Sequence, residues 1–130
     1  MKIDSEFENL SFHDASIDLV ERSQDRLSLM ISGAFIGAKH SQSQGLDWHV
    51  ARCIMRFIAV SSETAVTCLH TSEVIENTTP EFPLDEIMHA TFENGIFQIN
   101  GLKDTVPWHE WAIEAEGFEL VILESSKISS

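Results

Sequence analysis

The feature that most constrains this chain is a period-two alternation of apolar and polar residues, repeated in short runs with polar turns between them. Ala15 to Glu21 sets Ile17 and Leu19 against Ser16 and Asp18. After Arg22-Ser23-Gln24-Asp25, the run Arg26 to Ser32 places Leu27, Leu29 and Ile31 on one face. A side-chain period of two belongs to a half-buried strand, whereas an amphipathic helix repeats at every third or fourth residue. The two runs therefore predict a hairpin. Asp85 to Phe92 leads through Glu93-Asn94-Gly95 into Ile96 to Asn100, and Asn-Gly between apolar runs is the strongest short-range hairpin signal. Near the end, Trp111, Ile113 and Ala115 alternate with Glu110, Ala112, Glu114 and Glu116. Glu116-Gly117 then predicts a turn that returns the chain through Phe118, Leu120 and Ile122.

The middle of the chain is less regular. Trp48 to Val60 is apolar on both faces apart from Arg52 and Arg56, which fits a central strand or part of a buried helix. Ile54, Phe57, Ile58 and Val60 favour the strand. Thr64 to His70 is its expected hairpin partner, across a turn near Ser61 to Glu63. Thr71 to Pro83 reads as a loop. Gly33 to Gly45, rich in Gly, Ser and Gln, reads as the most mobile segment.

Together these runs predict an all-β fold with strands at 15–21, 26–32, 49–60, 64–70, 85–92, 95–100, 110–116 and 118–124. One short helix fits near Ser5 to Leu10. Serial hairpins imply an antiparallel meander of about eight strands, folded into a sandwich or half-barrel. A chain of 130 residues supports a single domain, with an ordered core over about 8–124 and a frayed tail from Ser125. The expected core is Ile17, Leu19, Leu27, Leu29, Ile31, Ile54, Phe57, Ile58, Leu69, Phe97, Ile99, Trp111, Ile113, Leu120 and Ile122.

Charge narrows the function classes. Asp plus Glu outnumber Lys plus Arg by 21 to 8, a formal net charge of −13. Nonspecific nucleic-acid binding needs the opposite balance, so no nucleic-acid partner is expected. The hydrophobic fraction of 43% argues against a disordered acidic chain. No membrane span and no signal peptide are read: the start, MKIDSEFENL, has no apolar stretch, and the longest apolar run is broken by Arg56. Cys53 and Cys68 are the only cysteines. In the expected hairpin they lie on opposite faces or as diagonal neighbours, roughly 7–8 Å apart at Cα, too far for an unstrained disulfide. Two free buried thiols in a reducing cytoplasm is the expectation. The charge is also uneven. Residues 1–60 carry eight acids and six bases, whereas residues 61–130 carry thirteen acids against Lys103 and Lys127 alone.

Chemistry-bearing motifs are sparse. His13-Asp14 opens the first long strand, but neighbours on an extended chain point to opposite faces, so the pair is expected to pin the strand start rather than act together. The six histidines form no HxH or HxxxH spacing, and no CxxC, GxSxG or GxGxxG is present. No catalytic residue, metal ligand or cofactor is therefore assigned. The expected site is a partner-binding one: Glu110, Glu114, Glu116 and Glu119, with Trp108 as an apolar anchor, facing a basic protein surface. Two alternatives stay open. One is a structural or homo-oligomeric β protein, a dimer among its forms. The other is a metal or small-ligand binder built on His13, His49 or His109.

The order of these features resembles that of a known group. FHDASI opens a first strand, WHVARCIMRF forms a Trp-led apolar strand, and WAIEAEGFELVI closes the chain. Over roughly residues 8–124 this is similar to small bacterial families whose first strand begins HD-S or HDA, among them predicted immunity proteins of polymorphic toxin systems. The resemblance implies an intracellular, β-rich, non-enzymatic binding protein, and an immunity-type inhibitor of a basic toxin is the form of binding it suggests.

Overall fold

The structure is a computed structural model that describes residues 2–69 and 73–128. Its strands are β1 (Lys2–Ile3), β2 (Leu10–Ser11), β3 (Ala15–Ser23), β4 (Arg26–Ser32), β5 (Ala34–Ile36) and β6 (Trp48–Ile58). They continue as β7 (Ser62–Cys68), β8 (Val74–Glu76), β9 (Glu86–Glu93), β10 (Ile96–Lys103), β11 (Val106–Glu114) and β12 (Gly117–Lys127). All eight expected strands are present, with the predicted end of one at His70 outside the described residues. Four short strands join them. In place of the expected short helix stands a single 3-10 turn, Phe7–Asn9.

Every pairing is antiparallel, in one open sheet ordered β1-β12-β6-β4-β3-β9-β10-β11-β7-β8, with β5 and β2 branching from β6. Two of the four expected hairpins form, β3–β4 and β9–β10. The other two do not. β6 pairs with β12, and β7 with β11, in registers that continue from one pair to the next: Gly117 faces Ile58, and Glu114 faces Ser62. Residues 48–68 and 106–127 thus form one long two-stranded ribbon folded at a corner. The corner is held by Ser61 N–H donating to the Glu114 carbonyl (2.8 Å) and Glu116 N–H donating to the Ile58 carbonyl (3.0 Å). Ala59 makes the bend with a left-handed φ of 55°. Glu116-Gly117 is a corner rather than a hairpin turn, and a simple meander is excluded.

The sheet curls so that its halves face each other. Phe57 on β6 lies 4.7 Å from Phe97 on β10, four strands away in sheet order, and Phe97 stacks on Phe92 at 4.1 Å. Phe7 packs against Phe12, Phe92, Phe97 and Phe118. Ten of the expected core residues are fully buried. Five are not, for definable reasons. A bulge between Ile17 and Leu19 inserts Asp18, so that Leu19 faces outward opposite Met30. Cys53, Met55 and Phe57 point inward on β6, which leaves Ile54 and Ile58 on its other face. Leu69 lies beyond the end of β7 and is exposed, while Ile122 packs only at the core margin.

Two further expectations change. The 33–45 segment is tied down: buried His40 accepts from Gln42 N–H and donates to the Ser5 carbonyl, and Trp48 Nε1 donates to the Ser43 carbonyl. The segment from Ser125 does not fray at once, since Ser125, Ser126 and Lys127 pair with Val50, His49 and Trp48. Cys53 and Cys68 are both free, but only Cys53 is buried, Cys68 being partly exposed at the end of β7. They lie on strands that are not neighbours, so their separation does not arise from a shared hairpin.

Candidate functional site

The alternation of β11 decides which of the expected site residues meet. His109, Trp111 and Ile113 point inward, so Trp108, Glu110, Ala112 and Glu114 share the outer face. Register extends that face over five strands. Glu114 lies opposite Ile96, which lies opposite Glu93; Glu110 lies opposite Val66, which lies opposite Glu76. Strands are about 4.8 Å apart and rise about 3.3 Å per residue. The four carboxylates therefore step across the sheet at roughly 10 Å intervals, with Glu110 and Glu114 about 13 Å apart along β11. That spacing avoids close repulsion between directly opposed like charges.

The outward residues of β9, β10, β11, β7 and β8 include no Lys or Arg. Lys103 is turned the other way, its Nζ 3.9 Å from the centre of the Phe82 ring. Between the carboxylates sit Ile96, Gln98, Ala112, Thr64 and Val66. Trp108 is half-buried at the end of the face near Cys68 and Val74. Cys68 senses the same field: partial burial and then the Glu110 carboxylate, which also accepts its hydrogen bond, push its thiol pKa up.

Glu116 and Glu119 do not join this face. Glu116 sits at the ribbon corner, exposed. Glu119 lies round the corner on β12, opposite Arg56 and 3.7 Å from Lys2 Nζ. That half of the sheet is charge-balanced, with Arg52 opposite Glu124 as well. Sequence reasoning grouped Glu119 with the others because it took β12 for the hairpin partner of β11. Glu76 and Glu93 were missed, one in a segment read as loop and one at the edge of a turn. Only the β10–β11 and β7–β8 pairings bring them to Glu114 and Glu110.

The three candidate histidines stand apart. His13 Nδ1 donates to the Met88 carbonyl at 2.8 Å. Its Nε2 lies 3.5 Å from Asp14, because Asp14 turns at φ 64° and the two residues are not on an extended chain. The pair meets, contrary to the strand argument, while His13 still pins the strand start. His49 packs on Phe35. His109 is buried, its Nδ1 within reach of Thr67 Oγ1 and of the Asn77 amide. The Asn77 carbonyl oxygen accepts from Thr79 N–H, so its amide nitrogen faces His109, and Nδ1 must accept. Nε2 then carries the proton and has no partner among the described residues. Among those residues no group of three or more His, Cys, Asp or Glu converges on a metal position.

The outer face thus offers negative charge, hydrogen-bond acceptors and a partly exposed indole on a rigid support. No helix among the described residues is long and apolar enough to cross a membrane. No family model, curated protein or solved structure matches the chain.

Proposed function

We propose that this chain is a small acidic protein-binding module, with a half-barrel scaffold that presents the outer face of β9-β10-β11-β7-β8 to a basic protein surface. An immunity-type inhibitor of a basic toxin is the specific role this reading favours. The observation that carries it is the division of charge between the two outer faces. One holds Glu76, Glu93, Glu110 and Glu114 with no Lys or Arg among its outward strand residues, while the other sets Lys2, Arg52 and Arg56 beside or opposite Glu119 and Glu124. A surface acidic only for solubility needs no such division, whereas electrostatic recognition benefits from a one-sign field aimed in one direction. Trp108, at the rim of that face, supplies the apolar anchor that charge alone lacks.

The test uses the whole chain as bait in a lysate of its own host, beside a variant carrying Glu76→Gln, Glu93→Gln, Glu110→Gln and Glu114→Gln. A basic protein retained by the first and lost by the second is the expected result. An acidic partner, or equal retention by both baits, returns the face to a solubilising role.

A further inference from the structure

The curled sheet is interrupted on one side. β3 pairs with β9 only at Ala15–Ile87 and Ser16–Glu86. Upstream of that point the chain peels away: Ala15 N–H donates to the Phe12 carbonyl, Asp14 takes a left-handed φ, and Leu10–Ser11 pairs with β5 instead. A cleft of about 350 Å³ is left between the 7–13 segment and residues 88–93 of β9. That volume lies at the small end of the range for binding pockets.

Backbone groups line one wall. The two-residue Asn94-Gly95 turn makes Glu93 and Ile96 a hydrogen-bonded pair, and alternation makes Thr91–Gln98 and His89–Asn100 the next ones. Ala90 and Phe92 therefore direct their N–H and C=O groups away from β10, toward the cleft. Among the described residues neither has a backbone partner there. Exposed strand edges of this kind are normally blunted by Lys, Pro or a covering loop. Among the described residues, Asp14 N–H covers the Ile87 carbonyl and His13 the Met88 carbonyl, and this cover stops short of Ala90 and Phe92. Phe7 and Phe12 form an apolar floor with the half-buried Phe92, and Glu8 and Glu93 stand exposed at the rim. No Lys or Arg lines the cleft.

We propose that this cleft binds an extended peptide segment, alternating apolar and basic residues, as an added strand on β9. The backbone of such a segment satisfies Ala90 and Phe92, its apolar side chains rest on the phenylalanines, and its Lys or Arg side chains meet Glu8 and Glu93. Main-chain hydrogen bonds supply affinity and alternate side chains supply selectivity, as in other strand-addition complexes. The cleft shares Glu93 with the acidic face but uses neither Glu110 nor Glu114.

The test probe is a capped heptapeptide alternating Lys and Val, compared with the same sequence N-methylated at each Val. Binding of the first should slow amide exchange at Ala90 and Phe92 at least tenfold, and N-methylation should weaken binding at least tenfold. Ala90→Pro removes a donor on the cleft side without touching the β10 ladder and should abolish binding; the N-methylated peptide gives the same information without a protein variant. Glu110→Gln with Glu114→Gln should leave peptide affinity unchanged. No binding, or equal binding of both peptides, overturns the proposal. So does a dimer in sedimentation that Ala90→Pro dissolves, since the occupant is then a second copy of the chain.

Discussion

Burial pushes the Cys53 thiol up to about 12, so at neutral pH it is protonated and a poor nucleophile. Alkylation of the folded protein at neutral pH should therefore label Cys68 first, with Cys53 reacting only on unfolding; mass spectrometry of labelled peptides checks this. Glu6 behaves in the opposite sense. It accepts hydrogen bonds from the Ser41 hydroxyl and backbone N–H, which hold its pKa below the usual carboxylate value of 4.5. A depressed carboxylate contributes stability that is complete above the unfolded value and lost as pH falls through the folded one. Exchange of the Ser41 amide should accordingly accelerate as pH drops below about 4.5, beyond the intrinsic trend. Phe57→Ala should cost about 3–5 kcal/mol through lost burial and a cavity, whereas Ile54→Ala, on the outer face of β6, should cost well under half of that. Denaturant midpoints separate the two.

At the scale of elements, the eight longer strands and the β3–β4 and β9–β10 hairpins are legible in the sequence, whereas the partners of β6, β7, β11 and β12 are not. Alternation is a local signal, so the strands expected at 26–32 and 95–100 could be read directly. Which strand sits beside which is decided by contacts far apart in sequence. The corner shows why. Glu116-Gly117 has the composition of a hairpin turn, and nothing nearby reveals that residues 48–58 will outcompete 106–114 as the partner of β12. Bulges obscured faces in the same way, as at Leu19. The β9–β10 bulge has its own requirement, because a Cβ on Gly101 would lie 1.9 Å from the Glu86 carbonyl oxygen. Gly101→Ala should destabilise by at least about 1–3 kcal/mol, the range for forcing extra atoms into a packed site. Ala59, left-handed at the corner, should accept Gly with little loss but lose about 1 kcal/mol or more to Val. Thermal unfolding of these three variants tests the corner and the bulge separately.

At the scale of the molecule, the sequence revealed that the later half is acidic, and the fold turns that asymmetry along the chain into an asymmetry in space. The folded ribbon carries β11 and β12 to opposite halves, which is why Glu110 and Glu114 face one way while Glu119 is neutralised beside Lys2 and Arg56. A field of one sign over roughly 20 Å of sheet is screened within about 8 Å at physiological salt but reaches about 30 Å at 0.01 M. Its effect belongs mainly to the rate of encounter. The most direct test is the association rate of the captured partner, measured from low to physiological ionic strength for the unaltered chain and for Glu110→Gln with Glu114→Gln. The account predicts a steep fall with salt for the unaltered chain, a rate at low salt at least threefold lower for the variant, and convergence of the two at high salt. Rates that are equal at low salt, or indifferent to salt in both proteins, contradict it.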